Sequence, residues 1–500
     1  MTKPTRTISG VAVVAIMTKP HKCPHGKCDI CPGGVGSEFG DVPQSYTGKE
    51  PATLRALRND FDPYLQVMNR LEQYVVTGHA PDKAELIIMG GTFPSMSKEY
   101  QKDFVMYALK AMNDFGRFFD GKLDVAGFKE FFMLPGEVAD AERTKEIHRR
   151  LLEMKKKGES SLDKEQKRNE KAKIRCVGLT VETRPDYGRK EQGDFALSLG
   201  ATRVELGVQT IYDDVLAKVG RGHNVEESVK AIQELRDLGF KLNLHYMLGL
   251  PGSSPARDVT GLKELFKDER FKPDMLKIYP CMVLKGTKLY KMWQEGEYKP
   301  LPTQKAAEII AEFKSTVPPY CRIMRVQRDI SSNQIDAGPI MTNLRQLVDR
   351  VCKEKGIKCR CIRCREAGRA KKIGKAEISV VEYDASGGKE FFISAEDKKN
   401  DVLLGFCRLR LPGQLLRKEI TGRTALVREL HVYGTAAGLG NEGDVQHRGW
   451  GKKLLRRAEE IALSHGKDKV VVISGIGVRE YYRGSGYKKE GPYMSKRLNI

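Results

Sequence analysis

The strongest constraint this sequence places on its own fold is a repeated alternation of short apolar runs with helical stretches across residues 84–330. The runs AELIIMGG, KIRCVGLTVET, TRVELGVQT, KLNLHYMLGLP and MLKIYPCMV are short and rich in β-branched and aliphatic residues, which predicts strands. Between them lie segments such as 225–238, where Val225, Val229, Ile232, Leu235 and Leu238 fall three or four apart and share one helix face. Strand–helix repeats of this kind predict a parallel sheet, either open or curled into a full or partial (β/α) barrel. Chemistry in such sheets collects at the C-terminal ends of the strands, so the residues that follow each run carry the functional weight.

After residue 330 the texture changes. Residues 351–376 hold ten Lys/Arg against two Glu, together with Cys352, Cys359, Cys361 and Cys364. From Glu377 onward the runs are hairpin-like, with turn chemistry in SGG, followed by the strand ALVRELHVYG, an amphipathic helix from about Arg448 to His465, and KVVVISG. This predicts three units: a barrel over 1–330, a basic cysteine-rich linker over 331–376 and an α+β domain over 377–500. Another charged stretch, 142–173, has twelve Lys/Arg against seven acids. It is expected to be a solvated helical insertion, with an RNA-facing surface as the alternative.

Composition narrows the function classes. A chain of 500 residues that is 40% hydrophobic can bury sizeable cores, which excludes wholesale disorder. The longest apolar run near the start, residues 11–17, is far short of the ~20 residues a spanning helix needs. No signal-like leader precedes it, so a cytoplasmic protein without membrane association is expected. A net charge of +22 points to a polyanionic partner, most often nucleic acid. The eleven cysteines are clustered, which indicates metal rather than disulfides.

Cys23, Cys28 and Cys31 stand in CPHGKCDICPGG, directly after an apolar strand. Three thiolates on one loop can hold three irons of a cubane cluster and leave the fourth iron open. The alternative is a zinc knuckle completed by His25. Gly90, Gly91 and Thr92 then end the second strand in MGGT, where glycines let a ligand approach the backbone. Further on, CRCIRC supplies Cys359, Cys361 and Cys364, which suggest a structural zinc, with free thiols as the alternative and with Cys281, Cys321 and Cys352 as candidate fourth ligands. Gln446, Gly449, Trp450, Gly451 and Lys452 open the amphipathic helix, where backbone N–H groups can cradle a pyrophosphate.

In order, CPHGKCDICPGG, QSYTG, MGGTF, VETRPDY, ELGVQT, RGH, VQRDI and RELHVYG resemble the catalytic subunit of Elongator over nearly the whole chain. The resemblance implies a partial barrel of radical S-adenosylmethionine (SAM) type followed by a GNAT-type acetyltransferase domain. It implies modification of the tRNA wobble uridine with acetyl-CoA as the source of a two-carbon unit, giving 5-carboxymethyluridine at position 34 of the anticodon stem-loop. Cys23, Cys28 and Cys31 would then ligate a [4Fe–4S] cluster, while Gly90, Gly91, Thr92, Glu205 and Gln209 would contact SAM. Glu182, Arg184, Asp186 and His223 would join them at the barrel mouth. The QHRGWG loop matches the acyl-CoA pattern Q-x-x-G-x-G of GNAT enzymes. Glu429, Leu430, His431 and Val432 would offer backbone groups to the pantetheine, Lys83 would reach acetyl-CoA, and Tyr481 and Tyr482 would act near the thioester.

The resemblance also implies an electron donor, and it leaves open a homodimer or action apart from other Elongator subunits. Two departures stand out. Only four residues separate Cys23 from Cys28, fewer than in animal and fungal members, and the sequence starts almost at the first strand, where the family has a basic helical segment. Animal and fungal members keep only the first cysteine of CRCIRC, which restricts the zinc to the microbial branch. Two rival functions remain: a protein-lysine acetyltransferase with the barrel as scaffold, and a non-catalytic tRNA-binding scaffold.

Overall fold

The computed structural model describes residues 10–137, 139–341, 343–370, 372–433 and 449–499. Its first half is a single sheet of seven parallel strands: β1 (Ala12–Met17), β2 (Lys83–Met89), β3 (Arg175–Thr183), β4 (Arg203–Gln209), β5 (Lys241–Leu248), β6 (Met275–Pro280) and β7 (Arg322–Arg325). Their order in space is their order in sequence, each joined to the next through helices packed outside. This is the curled, partial (β/α) barrel that the alternation predicts. The free edge of β1 is closed by side chains. Gln66 bonds the N–H and C=O of Met17 at 2.8 and 2.9 Å, Tyr74 hydroxyl donates to Val13 O at 2.9 Å, and Arg55 reaches Ala15 O at 2.6 Å. Helix Pro63–Val76 carries Gln66 and Tyr74 and is started by Asp62, whose carboxylate accepts from the N–H groups of Tyr64 and Leu65. An edge strand is thus protected from pairing with another chain.

The insertion at 142–173 forms helices Ala141–Lys156 and Leu162–Asn169. It is solvated on one face only. Ile147, Leu151 and Met154 are buried against the core, and Arg143 is held by Glu72 and by two backbone carbonyls.

The second sheet comprises β8 (Glu377–Ala385), β9 (Gly388–Asp397), β10 (Val402–Leu411), β11 (Thr424–Val432), β12 (Lys469–Val472), β13 (Lys488–Glu490) and β14 (Tyr493–Arg497), in the spatial order β8-β9-β10-β11-β12-β14-β13. Only β11 and β12 are parallel, and helix Trp450–Ser464 lies between them in the chain. Leu454, Leu455, Ala458, Ile461 and Ala462 form its buried face, as their spacing predicts. The β8–β9 hairpin turns at Ser386 and Gly387 with φ of 49° and 68°, the left-handed pair of a two-residue hairpin. That turn docks on the barrel: Ser386 N–H donates to Glu269 O at 2.8 Å, and Arg236 donates to the Ser386 hydroxyl at 3.2 Å.

Buried charge joins the two sheets. Arg428 on β11 grips both oxygens of Asp274, just before β6, at 2.7 and 2.8 Å, and also Phe240 O and Glu390. Arg410 on β10 pairs with Asp237 at 2.7 Å, and Arg408 pairs with Glu429 at 2.9 Å while donating to Tyr320 O. Burial alone would raise the Asp274 carboxyl, but Arg428 and Arg408 hold it well below the usual carboxylate range. Arg428→Met leaves Asp274 buried without its main partner and is expected to destabilise the chain by roughly 3–5 kcal/mol in urea unfolding. The Asp274 contribution is present at neutral pH. It is expected to fade as pH falls below the unfolded aspartate value of about 3.9, toward the depressed folded value.

Candidate functional site

The cysteine loop follows β1 at the C-terminal end of the barrel. Cys23, Cys28 and Cys31 are all buried and none is in a disulfide. Each sulfur faces a polar neighbour. Gln44 Nε2 donates to Cys31 at 3.0 Å, with Ser45 Oγ at 3.4 Å; His25 Nε2 lies 3.1 Å from Cys28; Arg221 approaches Cys28 at 3.6 Å; and Thr92 Oγ1 lies 3.6 Å from Cys23. Burial pushes the Cys23 thiol up, with Thr92 and Arg184 opposing. Burial, followed by Arg184 and Arg221, lowers His25 to about 4 and keeps it neutral.

Gly90 and Gly91 have φ of 123° and 102°. A Cβ on Gly90 would lie 2.4 Å from Thr18 Oγ1, so only glycine lets β2 end against this loop. Gln209 also sits in the left-handed region, at φ 71°. Arg184 is clamped by Asp186 at 2.9 Å and donates to Arg221 O at 2.7 Å. The QSYTG and VQRDI motifs meet here, through Arg328 donating to Ser45 O, and Tyr46 hydroxyl donates to Glu182 at 3.1 Å. His223 Nδ1 contacts Asn224 O, and burial lowers its ring to about 3.

Inside the barrel the strands carry charge. The register aligns Glu182, Glu205, Asn243 and Met275 in one row across β3 to β6. Strand alternation places Glu85, Arg203, Lys241, His245, Lys277 and Tyr279 on the same inner face. Glu205 is ion-paired with Lys277 and accepts from Asn243 and His245 at 3.0 Å each. Although burial opposes ionisation, Lys277 holds the Glu205 carboxyl well below the usual range. Glu205 is therefore fixed within a charge network, and Glu182 is shared between Tyr46 and Lys277. The sequence reading missed this inner face, but its signal was available: ionic residues at i, i+2 spacing in parallel strands that should otherwise be nearly continuous apolar runs.

The second domain meets the opposite, N-terminal end of the barrel. β11 pairs with β10 as far as Val432 but with β12 only from Thr424 to Val427. Beyond that point the Glu429, Leu430, His431 and Val432 backbone has no strand on its other side among the described residues. The Glu429 side chain is turned to Arg408. Helix Trp450–Ser464 starts at Gly449, with φ 76°, and continues through Gly451 and Lys452; Gln446 lies outside the described residues. The tyrosine pair is split. Tyr481 is 37% exposed, with its hydroxyl 2.6 Å from where a Gly451 Cβ would stand, whereas Tyr482 is 4% exposed and packs as core against Tyr487. Lys83 is half-buried at the N-terminal end of β2 beside Arg175, on the side of the barrel that faces the second domain. Gly475 and Gly477 bring that domain against β3: a Cβ on Gly475 would lie 2.1 Å from Val177 O.

The second cysteine cluster is tighter. Cys359, Cys361 and Cys364 sulfurs lie within 4.8 Å of one another, compatible with the sulfur separation of about 3.8 Å around a tetrahedral zinc. The first triad does not meet that spacing, which favours ligands on separate irons over a single zinc ion completed by His25. Cys281 drops out as a fourth ligand, because it packs in a separate cluster with Val283, Leu289 and Tyr298. Cys321 stays adjacent, its carbonyl accepting from Ile362 N–H at 2.9 Å, and Cys352 ends helix Leu344–Glu354 nearby. The basic linker is only partly available to a partner: Arg365 is buried on Glu396, whereas Lys358 and Arg360 are exposed beside Asp401. No helix among the described residues is long and apolar enough to cross a membrane.

Residues 117–259 match the Radical SAM superfamily and 273–354 the Radical_SAM C-terminal domain. The chain is 50% identical to the tRNA uridine(34) acetyltransferase of Methanocaldococcus jannaschii over 99% of this chain and 86% of that protein. It is 40% identical to Elongator complex protein 3 of Saccharomyces cerevisiae over 99% of this chain and 84% of that protein. The solved archaeal Methanocaldococcus infernus Elp3 with an N-terminal deletion superposes with a TM-score of 0.80 at 42% identity, covering 98% of this chain and 100% of that one. The chain belongs to the Elongator protein 3 family.

Radical SAM membership implies a [4Fe–4S] cluster and SAM. The residues present in this Elongator protein 3 relative fit that group: three buried, mutually separated thiols with hydrogen-bond donors around them, beside a glycine turn open to a ligand. After anaerobic reconstitution with iron and sulfide, broad visible absorption is expected, and Cys28→Ser should lose it while Cys361→Ser keeps it. Retention of the chromophore in Cys28→Ser would contradict the assignment.

Proposed function

We propose that the chain is a tRNA wobble-uridine carboxymethyl synthase: an acyltransferase that uses SAM-derived radical chemistry and acetyl-CoA to form 5-carboxymethyluridine at position 34. The observation that supports this reading is that the cysteine loop lies at one end of a polar barrel interior and the open edge of β11, with the Gly449 helix start, at the other. The names of relatives at 43–50% identity support a uridine-34 substrate, and the net charge of +22 supports an RNA partner.

When bound, the cluster and SAM supply a radical able to take a hydrogen atom from the acetyl methyl group. Gly90, Gly91 and Thr92 give SAM backbone access, and Glu205 and Gln209 line the path beyond them. At the other end, the Glu429 to Val432 backbone receives the pantetheine and the helix start at Gly449 and Gly451 receives the pyrophosphate, with Lys83 beside the acyl donor. Tyr481, with its hydroxyl at the helix start, is the member of the tyrosine pair suited to hydrogen-bond near the thioester. The electron taken up is returned when the uracil ring loses its C5 proton and regains its double bond, and water cleaves the thioester to release CoA thiol, so an external electron donor primes the reaction and is not consumed by it. Cys359, Cys361 and Cys364 hold a structural zinc in the linker at 331–376.

The rival reading, a protein-lysine acetyltransferase, is less well supported. Its acyl site would lie against the barrel, where His431 senses Lys241 and Glu85, rather than against an open peptide groove. The test is nucleoside mass spectrometry of tRNA incubated anaerobically with reconstituted protein, a reductant, SAM and acetyl-CoA. Carboxymethyluridine is expected only when all components are present. Turnover on lysine peptides without iron, and none on tRNA, would establish the rival. Tyr481→Phe is expected to lower tRNA turnover on the order of 100-fold with little effect on CoA affinity, whereas Tyr482→Phe should change turnover far less.

A further inference from the structure

Three cationic or donor groups in the N-terminal half of the barrel interior are incompletely satisfied. Lys241 projects from the start of β5, and no carboxylate lies within 4.0 Å of its ammonium among the described residues. Its neighbour in register on β4, Arg203, is 4% exposed; it spends Nη1 on Glu85 at 2.7 Å and faces Glu205 with Nη2 at 3.6 Å, but Nε has no hydrogen-bond partner. His431, on the open stretch of β11, has a buried Nε2 without a partner. Burial lowers both the Lys241 amine and the His431 ring; Glu429 of the second domain and Glu85 of the barrel act on both groups, and Lys241 acts on His431, so the two domains meet at this point.

Buried polar atoms are rarely left unpaired, and several unpaired donors facing one space indicate a ligand with acceptor oxygens. The surrounding face is open rather than packed: β2 alternates buried and part-exposed residues, and the Glu85 and His245 side chains are 19% and 16% exposed. The space lies between the stretch proposed for the pantetheine and the charge network leading to the cysteine loop. We propose that Lys241, Arg203 and His431 form a subsite inside the barrel for the carbonyl oxygen, and later the carboxylate, of a two-carbon acyl unit. The subsite rests on the proposed function, because it takes the acyl end of the same donor, and it adds a group-specific hold on the acetyl moiety that the CoA loop does not provide.

The experiment is calorimetric titration of the reconstituted full chain with acetyl-CoA and with free CoA. Wild-type protein is expected to prefer acetyl-CoA by about tenfold, as one charge-assisted hydrogen bond provides. Lys241→Met should bring the ratio close to one with CoA affinity unchanged, while Lys241→Arg should keep most of it. His431→Phe, which preserves the ring contacts with Phe406 and Tyr433, should also narrow the ratio and serves where Lys241→Met does not fold. A wild-type ratio of one, or an unchanged ratio in folded Lys241→Met or His431→Phe, overturns the subsite while leaving CoA binding intact. Failure of wild-type protein to bind CoA at all overturns the acyl-donor reading itself, and the subsite with it.

Discussion

The arginine–carboxylate contacts between the sheets are the interaction on which the rest of the structure depends. Arg408, Arg410 and Arg428 project from β10 and β11 into the base of the barrel and are almost wholly buried there. Each finds a carboxylate, and Arg408 and Arg428 also reach backbone carbonyls across the interface. Removing such charges from water costs several kcal/mol apiece, so the contacts are better understood as specifying one docking geometry than as adding net stability. Apolar packing alone would tolerate sliding between the sheets. Arg428 locked bidentately on Asp274 does not, and it brings the open end of β11 to the barrel floor.

That docking gives the barrel interior its meaning. Closed barrels of this type ordinarily fill their centre with layers of branched aliphatic side chains. Here the inner face alternates sign, from Arg203 and Glu85 through Glu205 and Lys277 to Glu182 and Tyr46. Such an interior is stable only because nearly every charge is paired, and the pairing runs from strand to strand across the curl. A polar interior with one end facing a thiol loop and the other facing a helix start is suited to bringing two polar reactants together.

Much of the fold was legible from periodicity. The alternation of strands and helices, the buried stripe from Leu454 to Ala462 and the hairpin turn at Ser386 and Gly387 are local signals, and the structure agrees with each. The cysteine loop and the Gly90–Gly91 turn were equally legible, because spacing and backbone freedom are written in adjacent residues. What was not legible depends on distant pairing. Nothing local in FCRLRL marks Arg408 and Arg410 as buried, because their partners lie elsewhere in the chain at Glu429 and Asp237. Tyr481 and Tyr482 are neighbours in sequence, and only packing separates an exposed hydroxyl from a core ring. Cys281 looked as eligible for the zinc as Cys321 until the fold placed it beside Tyr298.

The central claim is that one chain holds both ends of a single reaction. Its most direct test is complementation between two inactive proteins. Gly449→Glu combined with Gly451→Glu puts side chains where the helix start needs none, at a position with φ 76° and at one where a Cβ meets Tyr481, and so removes the proposed acyl-CoA end. Cys28→Ser removes the cluster end and leaves the acyl-CoA end intact. With both proteins reconstituted anaerobically and supplied with SAM, acetyl-CoA, a reductant and tRNA, their mixture is predicted to yield no carboxymethyluridine above either protein alone. Efficient formation of the modified nucleoside in the mixture would show that the acyl unit passes between molecules, and would contradict a shared interior joining the two sites.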